Sequence, residues 1–272
     1  MFKINISNGH QLTINDLRLI LLNYIFSKQE KEDLIVYVND LVKNDFSKDI
    51  EEKNLELLSL FSIDYKNIIH QSNNIKYHTQ MAMSLILERH AFNCFCSEAA
   101  IENDKEQAKN ANKKYHYTDF CLNLSDEAKF ECNAPFTVRI KRPQKNISYN
   151  DINDQKIEID IYDVDSFNIL NQDKSPTNDF ATAIDDMIND ISGFIEDHTT
   201  NFSFAKQLHI RNILGYDKQL NYKQVSKIND PLETTVKSLI NDGFLPEAIA
   251  NYLLMISFNT EINSIEESID FL

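Results

Sequence analysis

The chain has 272 residues, 42% of them hydrophobic, with 42 acidic side chains against 27 basic ones and a formal net charge of -15. That length and apolar content sustain a real core and exclude a disordered chain, and no apolar run approaches the ~20 residues of a membrane span. The acidity excludes strong non-specific nucleic-acid binding by the surface as a whole, DNA included.

Residues 1–10 lack the charged and apolar regions of a signal peptide, so a cytoplasmic location is expected. In that compartment four cysteines, two of them in Cys94-x-Cys96, suit a metal site better than disulfides. One basic cluster stands out: Arg139, Lys141, Arg142 and Lys145. It is open between a local RNA-facing patch and a solvated strand end. Residues 228–272 hold eight acids and one base, Lys237, which would repel an RNA backbone.

In chain order, the spacing of Leu17, Ile20, Leu21, Tyr24 and Ile25 predicts a helix over 17–28, followed by a short strand over 34–38. Ser47 is the expected N-cap of a helix reaching about Phe61, with Ile50, Leu57, Leu58 and Phe61 inward. Another helix is expected over 75–90 and a very polar one over 97–110. Phe136, Val138 and Ile140 alternate, as do Ile157, Ile159 and Ile161, and each set reads as a strand with one buried face. An apolar run over 166–170 reads as a buried strand, and 173–176 is turn chemistry. Phe180, Ala183, Ile184, Met187, Ile188 and Ile191 then mark an amphipathic helix. Its adjacent Asp185 and Asp186 read as structural residues at a solvent edge. A short strand at 194–195 and a helix over 204–214 follow. The alternation argues an α/β fold with a parallel sheet. Gly243 reads as the C′ residue of a helix over 234–242, Pro246 opens the next, and Ser264 with Glu267 forms a capping box for a last one.

The text VDSF-x-IL-x-x-DK-x-PT-x-x-FA-x-A-x-DDM, followed by KQ-x-HI and LGYD, resembles the second half of the nucleotide-binding fold in bacterial glutamyl-tRNA synthetases. The likeness extends to Cys94-Phe-Cys96, 136–141 and 243–252 and covers most of the chain. It implies a class I aminoacyl-tRNA synthetase Rossmann-like catalytic domain, with an inserted zinc-bearing α+β subdomain and a helical C-terminal end. Residues 1–92 and 163–220 would be the two Rossmann halves and 93–162 the acceptor-binding insertion. Residues 221–272 would hold the lysine-rich loop and terminal helices, with no anticodon-binding domain.

The family's reaction, ATP-dependent ligation of glutamate to tRNA, is carried by motifs that depart here. H-I-G-H or H-I-G-N aligns with Thr13-Ile14-Asn15-Asp16, losing the histidine and the glycine and placing a carboxylate at the phosphate approach. His10 has the wrong spacing to replace the histidine. The P-S-P-T-G loop becomes Ile6-Ser7-Asn8-Gly9, and the amino-acid-binding arginine falls on Lys3 or Asn5. The substrate-amine carboxylate becomes Asn39, a tyrosine becomes Asn178, and R-G-E-D-H becomes Ile195-Glu196-Asp197-His198. K-M-S-K-R, a mobile loop that stabilises pyrophosphate, is matched by Gln224-Val225-Ser226-Lys227-Ile228. Only four glycines are present, where phosphate loops need them.

The metal pattern survives. Cys94, Cys96, Tyr117 and Cys121 match the C-x-C … Y-x-x-x-C zinc knuckle of glutamyl-tRNA and glutamyl-queuosine tRNA-Asp synthetases, with His116 as an alternative to Tyr117. Such zinc would be structural. The expectation is therefore a synthetase-like protein of impaired catalysis that binds tRNA, another synthetase or a further partner. The alternatives are an active glutamate–tRNA ligase with a rearranged site, using ATP and Mg, or a glutamyl-queuosine-type enzyme.

Overall fold

The computed structural model describes residues 1–7, 9–41, 47–151, 155–197, 202–230 and 232–258. β1 (Phe2–Ser7) is missing from the sequence expectation, although Phe2, Ile4 and Ile6 alternate cleanly and are buried. It pairs with β2 (Leu34–Asn39), whose Leu34 to Val38 run is buried throughout, as a strand covered on both faces of a parallel sheet must be. The five-stranded sheet has the order β10-β9-β1-β2-β3, where β3 is Ile68–His70, β9 Gly193–Asp197 and β10 Asn221–Val225. Every pairing in it is parallel.

Helices α1 (Ile14–Gln29) and α2 (Lys48–Leu60) connect β1 to β2 and β2 to β3. Ser47 caps α2 as expected, its hydroxyl accepting from the Ile50 N–H. Leu58 and Phe61 are inward, whereas Ile50 and Leu57 are only half-buried. The strand order reverses between β1 and β9, which opens a crevice at the carboxyl ends of the strands. In register there stand Ser7 opposite Asn39 and Asp197 opposite Val225.

Between the two halves lie α3 (Ile75–Leu87), β4 (Ala91–Cys94), α4 (Glu98–Asn110), α5 (Asp126–Glu131) and β5 (Thr137–Ile140). The β6–β7 hairpin (Ile147–Asn150 and Lys156–Ile159), α6 (Ile161–Val164) and β8 (Phe167–Leu170) follow. Ile161 opens α6 and does not extend β7, and Ile157 and Ile159 are half-buried. The expected strand at 166–170 exists, but in a different sheet. β8 runs antiparallel to β5, and β5 antiparallel to β4. The chain reaches β8 through a hairpin and one helical turn, not through the crossover helix that a parallel partner requires.

α7 (Asn178–Ile188) corrects the apolar stripe read from sequence. Phe180, Ala183 and Ile184 are buried, Ile188 is 49% exposed and Ile191 lies beyond the helix end. The rest of the buried face belongs to Ala181, Asp185 and Asp186. α8 (Ser203–Ile213) leads to β10. After it, α9 (Val236–Asn241) ends at Gly243, whose φ of +93 degrees only glycine adopts without strain, and Pro246 opens α10 (Pro246–Phe258). Ile249, Leu253 and Leu254 of α10 join Leu17 and Leu21 of α1 in one core. The expected final helix with Ser264 and Glu267 lies outside the described residues. Among those described, no helix is long and apolar enough to cross a membrane.

Gly193 is fixed by crowding. A Cβ there would stand 2.6 Å from the Asn221 carbonyl oxygen and 3.0 Å from the Phe2 ring. Gly193→Ala therefore forces β9 away from β10, and a loss of roughly 1–3 kcal/mol is expected in urea unfolding. An unchanged midpoint would show that the strands open freely there.

Candidate functional site

The crevice at the strand ends begins with α1. Thr13 is the N-cap, and it forms a capping box with Asp16. The Asp16 carboxylate accepts from the Thr13 N–H and hydroxyl, both at 2.8 Å, and the Asp16 N–H donates to the Thr13 hydroxyl at 3.2 Å. The carboxylate thus turns back onto its own helix end, where the macrodipole favours it. The segment before the helix is bridged to residues 234–236: Ile14 N–H donates to the Thr234 carbonyl and Val236 N–H to that of Leu12.

Asn15, at the position of the motif glycine, does more than add bulk. Its side-chain amide takes both backbone groups of Ile228, accepting from the N–H at 2.7 Å and donating to the carbonyl at 3.3 Å. One turn on, Arg18 donates to the Ser226 carbonyl at 2.6 Å and to the Ser257 hydroxyl at 2.8 Å. The 226–228 segment, expected as a mobile loop, is fastened at two points to α1 and at one remove to α10. The sequence could not show this, because the partners are more than 200 residues apart.

Thr13, Asp16 and Lys227, named from degenerate motifs, do meet. They line a cavity of about 300 Å³ together with Asp197, Glu233 and His10. His10 has the wrong spacing for the motif, yet the chain folds back and places its Nδ1 3.9 Å from Asp16. Three carboxylates against one lysine make this an acidic lining. We expect Asn15→Ala to strip Ile228 of both partners, costing roughly 1–3 kcal/mol and raising hydrogen exchange over 226–228; protection equal to the parent would show that the clasp is incidental.

On the other side of the crevice the Asn39 amide donates to the Asn178 side-chain oxygen at 2.8 Å, closing β2 onto the start of α7. Neighbouring Asp40 accepts from the Ser72 N–H and hydroxyl. Ser7 accepts from the Gly9 N–H at 3.1 Å. Glu196 accepts from the Tyr222 hydroxyl at 2.5 Å, and burial pushes its carboxyl above the ordinary range. Asn8, Val42 and His198 of the aligned motifs lie outside the described residues.

Of the two positions open for the family's arginine, Asn5 is exposed and Lys3 is not available. Lys3 is buried and donates to both oxygens of Asp186, at 2.8 and 2.6 Å. This overturns the reading of Asp185 and Asp186 as solvent-edge residues. Asp186 is 1% exposed, and burial pushes its carboxyl up while Lys3 pulls it down. Asp185 accepts from the Gln71 and Asn74 amides and pairs with His78 Nε2 at 2.9 Å. Helix α3 and the turn before it cover that face of α7 and carry the donors. No local spacing signals such partners.

A second cluster sits between β4 and β5. The sulfurs of Cys94, Cys96 and Cys121 all lie within 4.8 Å of one another, and all four cysteines of the chain are free thiols. The Tyr117 hydroxyl is 3.2 Å from the Cys94 sulfur and 3.5 Å from that of Cys96, while the Cys96 and Cys121 sulfurs are 3.6 Å apart. His116 faces away, towards the Tyr162 carbonyl, so of the two alternatives Tyr117 is the side chain that lies against the sulfurs. Burial opposes ionisation of Cys94, but Tyr117, the Cys96 backbone and Arg139 outweigh it and hold the thiol below its ordinary value. Burial and the Cys121 contact push Cys96 up to about 11. Four soft or polar donors converging this closely can hold one ion.

At its core the basic cluster is not a solvated strand end. Arg139 is buried and donates to the Cys94 sulfur, and Arg142 pairs with Asp119 and Asp165 at 3.0 and 3.1 Å.

The model of the tRNA synthetases class I (E and Q), catalytic domain, matches residues 7–271. Among curated proteins the chain is 41% identical over 273 residues to glutamate–tRNA ligase 2 of Sulfurimonas denitrificans, covering 95% of this chain and 62% of that protein. It is 37% identical over 282 residues to glutamate–tRNA ligase 1 of Campylobacter jejuni, covering 99% and 65%. It thus spans less than two thirds of the length of these relatives. A crystal structure of a glutamate tRNA ligase from Elizabethkingia meningosepticum in complex with its amino acid shares the fold, with a TM-score of 0.84 at 20% identity over 98% of this chain and 63% of that one.

Proposed function

Because this chain belongs to the catalytic-domain family of the class I tRNA synthetases (E and Q), we propose that it is a glutamyl-tRNA synthetase-like protein whose own catalysis is impaired and which serves as a binding or regulatory module. The observation that carries this is the double closure at α1, the capping box of Thr13 with Asp16 and the clasp of Asn15 on Ile228. A nucleotide held at a helix N-terminus needs free N–H groups and a positive field. Here the Thr13, Ile14 and Asp16 N–H groups have internal partners and three carboxylates line the cavity. Each missing electrostatic contact removes about 3 kcal/mol of transition-state stabilisation, and two or three such losses abolish useful turnover. Asn39 in place of a carboxylate and Glu196 near the place of an arginine act in the same direction on glutamate.

The partners of such a module are tRNA or another synthetase, in the cytoplasm. Residues 93–162 serve as an acceptor-binding insertion between Rossmann halves at 1–92 and 163–220, and 221–272 as the loop and helical end. Zinc fits the knuckle of Cys94, Cys96, Tyr117 and Cys121: with Zn–S near 2.3 Å, a tetrahedral site separates sulfurs by about 3.8 Å, close to the 3.6 Å between Cys96 and Cys121. No donor position is left open for chemistry.

A second reading, an active glutamate–tRNA ligase with ATP and Mg in a rearranged site, is favoured by the identity of 41% to a protein of that name and by Lys227 in the cavity. Equilibrium dialysis with labelled ATP and Mg separates the two. No saturable binding up to millimolar ATP is expected, and binding at the micromolar level would overturn the non-catalytic reading.

A further inference from the structure

Arg139 lies in the middle strand of the β4-β5-β8 sheet, where a guanidinium is costly unless every part of it is used. It is used fully. The residue is 8% exposed, and its Nε donates to the Cys94 sulfur at 3.3 Å. Its Nη1 donates to the Ser166 carbonyl at 2.9 Å. Its Cζ stands 4.2 Å from the centre of the Tyr117 ring, over the face. One side chain therefore touches two of the four donors of the knuckle and ties them to Ser166, the residue before β8.

The surroundings fix Tyr117 from its other sides. Its N–H donates to Asp165 at 2.6 Å, and its carbonyl accepts from Arg142 at 2.9 Å. Asp165 has a φ of +55 degrees, a conformation that a non-glycine residue holds only when its neighbours over-determine it. Arg142 holds the tyrosine backbone, whereas Arg139 alone reaches a sulfur and the ring.

We infer that Arg139 is the positioning residue of the cysteine–tyrosine knuckle: it sets Cys94 and Tyr117 in the arrangement that takes zinc and offsets the negative charge of the thiolates. The inference rests on the zinc reading above. Three thiolates around one divalent ion leave a net charge of about -1, and a buried anion of that kind requires a nearby cation. Lysine keeps the charge but cannot donate to sulfur, lie flat on the ring and reach a carbonyl at once.

The test uses the full chain, stripped of metal and titrated with zinc against a chromophoric chelator, for the parent, Arg139→Met and Arg139→Lys. Outer-shell partners of this kind are worth roughly 10- to 100-fold in metal affinity. A loss of that size is expected for Arg139→Met and a smaller one for Arg139→Lys, with unchanged far-ultraviolet circular dichroism in excess zinc. Cobalt is the second probe: the thiolate charge-transfer bands of the parent should shift in both variants, which a purely structural role would not cause. Because Arg139→Lys keeps a cation in place, it carries the test if Arg139→Met does not fold. Equal affinities and superimposable cobalt spectra would overturn the role of Arg139 while leaving the zinc reading intact. A parent that takes up neither metal would overturn both.

Discussion

Lys3→Met is expected to destabilise the protein by about 3–5 kcal/mol, because it leaves Asp186 buried and without its cation. Lys3 donates to both carboxylate oxygens, and both residues are 1% exposed. The pair joins the first strand of the central sheet to α7, 183 residues apart in sequence. Chemical denaturation of Lys3→Met, Asp186→Leu and the double variant measures the pair in a thermodynamic cycle. Each single substitution should cost several kcal/mol, and the double variant should recover most of that, since two apolar groups of similar size need no partner. Additive losses would show that the two residues act independently. The same pair explains why Lys3 is not open to a substrate carboxylate: taking one up would mean abandoning Asp186.

The second large effect concerns the knuckle. Cys121→Ser removes one of three converging sulfurs and leaves too few donors to close a tetrahedral site. Elemental analysis should fall from one zinc per chain to near zero, and the melting temperature should drop, because a structural ion contributes its binding free energy to folding. Cys132, outside the cluster, is the control, and Cys132→Ser should retain the metal. Full zinc content in Cys121→Ser would exclude the proposed ligand set.

What was legible in the sequence followed from local physics. The N-cap at Ser47, the turn at Gly243 and Pro246 and the inward Phe180 and Ile184 are set by side chains within a turn or two of one another. Cys94, Cys96, Tyr117 and Cys121 were picked out by the resemblance and not by local spacing, and the fold gathers the three sulfurs beside the Tyr117 hydroxyl. β10 was not legible, because NYKQV has only Tyr222 fully buried and no clear alternation. The buried charges were not legible either. Asp185, Asp186 and Arg139 carry types that normally face water, and only distant donors or acceptors make their burial tolerable. Asn15 shows the limit most clearly. From sequence it is a glycine replaced by something larger, and in the fold it is the latch for a segment 213 residues away.

The resemblance named residues that the fold brings together in the crevice. Thr13, Asp16 and Lys227 share one cavity, and Asn39 meets Asn178. Yet Thr13 and Asp16 satisfy each other, as do Asn39 and Asn178, where a ligand-ready site would present them free.

Glutamate-dependent exchange of pyrophosphate into ATP bears most directly on that point, because it requires nucleotide binding, glutamate binding and the chemical step together. It should be measured on zinc-loaded, folded protein, with bulk tRNA present and a glutamate–tRNA ligase as the positive control. The account predicts exchange at background, with Asn15→Gly insufficient to restore it while Asp16, Asn39 and Glu196 remain. Exchange that depends on glutamate and disappears in Lys227→Ala would contradict it and establish a working ligase site behind the altered motifs.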